Sequence, residues 1–217
     1  MKLLIANKGY SSWSQRAWLV LRHFGIPFEE TVQPMYVEGW KEAILKWSPT
    51  GKVPCLVDGD ITIWESLAII EYLAETFPDR GIWPADKAAR AHARAISSEM
   101  HAGFQNLRRD YTCNWRRTYA WKVRGDGSAQ DDVKRIVALW KEARQRFGAG
   151  GPFLYGAFSA ADAMYAPVVG RLTTYSWPVD AETDAYMEAV RRLPAYAEWV
   201  TAGRAEPWTI PQYEHEA

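Results

Sequence analysis

The 217-residue sequence has only two cysteines, Cys55 and Cys113. Two are too few for a disulfide framework, and no Cys/His spacing resembles a zinc site. Long apolar runs are also missing, since no stretch approaches the ~20 apolar residues a membrane helix needs. Charge of one sign is not in excess either: 26 basic side chains balance 26 acidic ones. General attraction to nucleic acid or to a membrane surface is therefore not expected. No G-x-S-x-G elbow, phosphate-binding glycine loop or H-E-x-x-H pair occurs. The four histidines, His23, His92, His101 and His215, are scattered without metal spacing, and no metal is expected. The apolar run in Met-Lys-Leu-Leu-Ile-Ala at the start is too short for a secretion signal. A reducing, cytoplasmic setting is the expectation.

Tryptophan, by contrast, is abundant, with 12 residues against 7 phenylalanines. Flat amphipathic rings suit cores, interfaces and clefts for apolar ligands. Residues 2–6 read as a buried strand, and Asn7, Gly9 and a serine cluster as the turn after it. From Ser14, the residues Ala17, Val20, Leu21 and Phe24 recur at helical spacing until Gly25 and Pro27 stop them. Residues 28–33 read as a second strand, and Trp40, Ile44 and Leu45 as a short helix. Pro54 to Val57 and Asp60 to Trp64 flank Asp58-Gly59, a hairpin signal. Leu67, Ile70, Glu71 and Ala74 continue as a helix to about Pro78.

This β-α-β-α-β-β-α order occupies residues 1–80 and ends in a proline- and glycine-bearing linker. Every later signal, over residues 81–217, is helical. Ile96, Met100, Phe104, Leu107 and Tyr111 form one stripe, and Val133, Ile136, Val137, Trp140 and Phe147 another. Gly148 to Pro152 breaks the second. Ser159-Ala160-Ala161-Asp162 has the form of a capping box that opens a new helix. The tail after Pro207 is polar and expected to be loosely held.

Four segments carry a resemblance to a known family. Ser11-Ser12-Trp13-Ser14-Gln15-Arg16 resembles the serine-bearing turn of zeta- and theta-like glutathione transferases. Gly51-Lys52-Val53-Pro54 resembles that family's cis-proline loop, and Glu65-Ser66 its glutathione-anchoring pair. Ser159 to Asp162 resembles the capping box of its C-terminal domain. The four occur in the family's order and at its approximate separations, so the resemblance covers nearly the whole chain. It implies an α/β plus all-α architecture: a thioredoxin-like N-terminal domain, residues 1–80, then a helical-bundle C-terminal domain, residues 81–217. It further implies glutathione as co-substrate, a small electrophile as second substrate, and a homodimer.

The resemblance also assigns roles. Glu65 would pair the ammonium of glutathione's γ-glutamyl end. Ser66 and the free N–H groups of a helix start would bind its carboxylate. A cis Val53–Pro54 bond would turn the Val53 backbone outward to pair with an extended tripeptide. Lys52, or less directly Lys41, would meet the glycine carboxylate. Ser12 or Ser11 would donate to the sulfur. Counting along the theta-like pattern selects Ser12, whereas the doubled serine of zeta-like members leaves Ser11 open. A thiol with pKa near ~8.5 is roughly 3% ionised at pH 7, and lowering it by about two units corresponds to ~2.7 kcal/mol. The thiolate's lower intrinsic nucleophilicity would cancel much of that gain, so positioning would supply most of the rate. Met100, His101, Phe104 and Arg108 are the second-substrate candidates.

Two departures narrow the reading. Trp13 stands where zeta members carry a cysteine, and the arginine that zeta isomerases use on their substrate would fall near Thr174, with Arg171 out of step. Maleylacetoacetate isomerisation is therefore not implied. Residues 108–124 interleave basic and aromatic side chains, as a single-stranded nucleic-acid site, a cleft rim or a solvated helix face would. The expected function is attack of a glutathione thiolate on a small apolar electrophile, in a detoxifying manner. Its alternatives are a glutathione-dependent isomerase or reductase, and a non-catalytic partner-binding protein of the same fold.

Overall fold

Leu3, Leu4 and Ile5 have almost no exposed surface, and their strand, β1 (Lys2–Ile5), lies inside a four-stranded sheet. The computed structural model describes residues 1–215; the last two residues of the 81–217 segment lie outside them. β1 runs parallel to β2 (Glu29–Val32), with Lys2 opposite Glu29 and Ile5 opposite Val32. It runs antiparallel to β3 (Cys55–Asp58), which pairs in turn with β4 (Ile61–Trp64), giving the order β2-β1-β3-β4. The β3–β4 turn depends on Gly59 at φ 59°, a conformation that glycine adopts without a steric penalty.

Side chains alternate across a strand, so the apolar run of β1 feeds two clusters. Leu3 and Ile5 join Leu56 and the inner faces of α1 (Ser12–His23) and α3 (Ser66–Thr76). Leu4 and Cys55 look the other way, where Ile44 of α2 (Trp40–Leu45) covers them with Trp40 and Trp47. The element order of this half matches the sequence expectation.

The rest is helical: α4 (Lys87–Ala102), α5 (Gln105–Asp110), α6 (Ala129–Phe147), α7 (Ala160–Thr174), α8 (Ala181–Arg191) and α9 (Pro194–Ala205). No helix of the described residues is long and apolar enough to cross a membrane. α7 is buried on almost every side, as a helix with apolar residues all round must be. It packs against α1 and α4, which joins the helical half to the sheet. The capping box forms as the sequence suggested. Ser159 N–H and Ser159 Oγ–H both donate to Asp162 Oδ2 at 2.9 Å, and Leu154 N–H donates to Asp162 Oδ1 at 3.1 Å. Burial pushes the Asp162 carboxyl up to about 6 against the pull of these donors.

Two expectations are corrected. The stripe from Ile96 to Tyr111 is two helices, because the chain is extended at Gly103 and left-handed at Phe104, φ 61°. Arg108 takes up carbonyls left open at the break, donating through Nε to Gly103 O at 3.0 Å and through Nη2 to Met100 O. The tail is not loose. Ile210 is buried, and Glu214 accepts from Tyr10 Oη–H at 2.6 Å, from Arg117 at 2.8 Å and from Asn114 at 3.1 Å. Local polarity hid these long-range bonds.

Removing the Asp162 carboxylate would strand the buried Leu154 and Ser159 N–H groups. Asp162→Ala is expected to cost about 3 kcal/mol, read as a lower urea midpoint with unchanged slope, and Ser159→Ala about 1 kcal/mol.

Candidate functional site

The serine turn between β1 and α1 is held from both halves of the molecule. Tyr10 and Ser11 N–H donate to Asn7 O, and Asn7 Oδ1 accepts from Met35 N–H at 2.8 Å. Lys8 and Gly9 N–H donate to the two oxygens of Glu206, just beyond α9, at 2.7 and 3.0 Å. Gly9 O accepts from Trp115 N–H at 3.1 Å. A side chain on Gly203 of α9 would come within 2.9 Å of Gly9 N and Lys8 C, so the close approach of α9 requires glycine at Gly203.

Within this turn the serines divide the work. Ser11 is the N-cap of α1: its hydroxyl accepts from Ser14 N–H at 3.3 Å and donates to Ser14 Oγ at 2.8 Å. Ser14 Oγ also accepts from Ala6 N–H at 3.1 Å, so both serines hold the backbone. Ser12, the first residue of α1, is buried and makes no side-chain hydrogen bond among the described residues; like Ser11 it lines a cavity that Cys113 also borders.

That cavity has a volume of about 520 Å³, the size of a small-ligand site. The loop side supplies Lys52, Val53 and Pro54, and Glu65 stands at the start of α3. The Val53–Pro54 peptide is cis, and the Val53 backbone has no hydrogen-bond partner among the described residues. Glu65 precedes α3 at φ 67°, and its carboxylate lies 3.4 Å from His101 Nε2. Ser66 is buried and its hydroxyl has no partner. Lys41 is exposed on α2 and is not part of the wall.

Of the second-substrate candidates, only Arg108 lines the cavity. Met100 is fully buried and Phe104 nearly so, both in the main core. The helix break at Gly103 turns them inward. His101 stands behind the wall, edge-on to Trp13 at 5.3 Å and paired with Glu65. Burial, then the charges of Arg16 and Arg108, hold its ring below the usual histidine range, against the pull of Glu65.

Sequence reasoning missed several wall residues: Thr112, Cys113, Arg171 and Tyr213. Arg171 carried a legible signal, a lone cation near the end of an otherwise apolar run in α7. Tyr213 had none, since the tail reaches the cavity only through tertiary bonds. Burial pushes the Cys113 thiol up, opposed first by the charge of Arg171 and then by the neighbouring Ser12, Arg16 and Arg108. Arg16 and Arg108 both stack on the Trp13 ring, at 4.4 and 4.5 Å from its centroid. In residues 108–124 the aromatics Tyr111, Trp115 and Tyr119 are buried while Arg109 and Arg117 point outward, the pattern of packed aromatics with solvated charges. Cys55, expected as an ordinary strand residue, is buried in β3, where burial pushes its thiol up to about 11. No group of three or more His, Cys, Asp or Glu side chains suited to a metal ion occurs among the described residues.

Two family models match this chain. The model of the glutathione S-transferase N-terminal domain matches residues 10–76, and that of the glutathione S-transferase C-terminal domain residues 126–202. A probable maleylacetoacetate isomerase of Caenorhabditis elegans is 43% identical over 97 residues, 44% of each chain. The chain spans under half the length of most curated relatives it matches. Among solved structures, a sphingomonad glutathione S-transferase complexed with glutathione is 26% identical with a TM-score of 0.66, covering 95% of this chain and all of the other. A glutathione transferase homolog from Burkholderia GL BGR1 with bound glutathione has 23% identity and a TM-score of 0.72, over 94% of this chain and 98% of that one.

The split between the serines is testable without any ligand. Ser11→Ala, which removes a cap, is expected to lower stability by about 1 kcal/mol. Ser12→Ala, which removes no cap, is expected to cost less than Ser11→Ala. Thermal unfolding of the two variants side by side measures the difference.

Proposed function

Because the chain belongs to the glutathione S-transferase superfamily, we propose that it binds glutathione in this cavity and activates the thiol for attack on a small electrophile. The observation that carries this reading is the position of Ser12, which lines the cavity from the first turn of α1 with its hydroxyl uncommitted, whereas the hydroxyl of Ser11, in the same wall, is already bonded to Ser14. A helix N-terminus favours a nearby anion. A hydroxyl donor adds a charge-assisted hydrogen bond to a thiolate. Serine acts as donor, not nucleophile, and positioning the thiolate against the electrophile supplies most of the rate.

The remaining roles follow from charge and free hydrogen-bonding capacity. Glu65 meets the γ-glutamyl ammonium, and the unpartnered Ser66 hydroxyl with the α3 N-terminus meets the adjacent carboxylate. The free Val53 backbone pairs with the tripeptide as an added strand, and Lys52 meets the glycine carboxylate. Glu65 is free for this role at neutral pH because His101, its neighbour, is then uncharged. Isomerase chemistry remains a second reading, favoured by Arg171 in the cavity wall despite its offset in sequence. A cytoplasmic homodimer completes the proposal, supported by Ile61 and Trp64 standing exposed on the open edge strand β4. Light scattering at micromolar concentration measures the assembly, and a monomer there removes that part.

Ultraviolet titration of the bound thiol tests the central step. The native complex is expected to titrate about one to two units below free glutathione, and Ser12→Ala to restore the free value. kcat/KM should fall by about threefold in the same variant through the thiol alone, and further to the extent that the donor also positions the sulfur. A depressed value that survives in Ser12→Ala but not in Ser11→Ala would move the role to Ser11.

The His101–Glu65 contact gives a pH dependence with a definite sign. As pH falls below the usual histidine range the imidazole gains a proton, pairs with Glu65 and competes with the glutathione ammonium. Affinity is expected to weaken by roughly threefold to tenfold once the ring is charged, and His101→Gln to flatten the profile. Calorimetric titrations at several pH values measure both.

A further inference from the structure

Glu206 stands where helix electrostatics alone would not put it. It closes α9 at φ −62° and ψ 138°, and the partial negative charge of a helix C-terminus disfavours an acidic side chain. Pro207 stops the helix and confines the residue before it to extended backbone. Burial raises the Glu206 carboxyl above its ordinary value, since the charged form is held away from water. Both of its oxygens are nevertheless committed. One accepts from Lys8 N–H at 2.7 Å and the other from Gly9 N–H at 3.0 Å, and the charges of Lys8 and Arg116 support the carboxylate.

Successive backbone N–H groups that point at one anion form a nest. Here the nest is filled by the chain itself, from 198 positions beyond Lys8. The fit is close, because Gly203 meets the backbone of Lys8 and Gly9 directly. A circuit of hydrogen bonds locks it: Gly9 O accepts from Trp115 N–H at 3.1 Å, and Trp115 O accepts from Arg204 Nε at 3.0 Å. The turn then runs straight into α1, with Tyr10 and Ser11 N–H on Asn7 O and Ser12 as the first helical residue. No other acceptor among the described residues meets the Lys8 or Gly9 N–H, so loss of the carboxylate would strand both donors.

We propose that Glu206 is a positioning residue for the thiol: its carboxylate, seated on the N–H groups of Lys8 and Gly9, fixes where α1 begins and so where the Ser12 hydroxyl stands. A donor displaced by a fraction of a hydrogen-bond length loses much of its effect on a thiolate. Glu206 acts through the turn and does not itself line the cavity. The role rests on the thiol-activating reading of Ser12.

Ultraviolet titration of glutathione bound to the full chain, to Glu206→Gln and to Glu206→Asp tests this. The glutamine amide accepts from only one of the two N–H groups and turns its NH2 toward the other. The bound thiol pKa is then expected to rise by about one unit. Aspartate keeps the charge with a shorter reach and is expected to give a smaller rise; it carries the test if the glutamine variant does not fold. The sign separates positioning from charge. A carboxylate acting by its charge alone opposes a thiolate on the same turn, so its removal would lower the thiol pKa. Calorimetric titration with S-methylglutathione, which has no thiol to ionise, is expected to give the native affinity in both variants. A thiol pKa unchanged or lowered in every variant that folds overturns the proposal, and so does S-methylglutathione affinity lost in step with the shift. A native complex that titrates as free glutathione does removes the thiol reading and this role together. A native depression that survives the substitutions removes the role of Glu206 alone.

Discussion

The N-terminus of α1 is fixed where the sheet and the helical bundle meet, and the cavity takes its shape from that restraint. Its turn is bonded to Asn7 within the same loop, to Met35 after β2, to Trp115 after α5 and to Glu206 after α9. Backbone groups of one short segment are thus satisfied by two distant parts of the chain, Trp115 and Glu206, and Met35 is tied in through the Asn7 side chain, as buried backbone requires. A rigid turn is what the donor role proposed for Ser12 needs.

The same junction concentrates positive charge. Arg16 enters from α1, Arg108 from α5 and Arg171 from α7, and each Nε is bonded to a backbone carbonyl. Arg108 and Arg171 serve the fold through carbonyls at or beside the ends of α4 and α5. Each also keeps at least one buried terminal nitrogen without a hydrogen-bond partner among the described residues.

Much of the fold was legible because its signals are local. The apolar run of β1, the Asp58-Gly59 turn, and the Ser159–Asp162 box each act within a few residues. The helix break at Gly103 was not legible, since the apolar stripe continues across it and only Arg108, folding back, makes it stable. Met100 and Phe104 were therefore expected in the cavity but lie in the core. The tail failed for the opposite reason. Its polar residues look disordered in sequence, yet Glu214 meets Tyr10, Asn114 and Arg117, which lie roughly a hundred or more positions away.

The sequence by itself determined the element order, the family and the loop side of the cavity. Those features rest on contiguous motifs: the serine turn, Val53-Pro54 and Glu65-Ser66 each carry their chemistry within a few residues. It could not show that Ser11 caps α1 through Ser14 while Ser12 does not, because a cap is defined only once the helix start is placed. Apart from Arg108, it did not give the opposite wall either, where Cys113, Arg171 and Tyr213 come from a loop, a helix and the tail. Tertiary packing decided that wall, since a buried charge is defined by what surrounds it in space and no spacing along the chain encodes that.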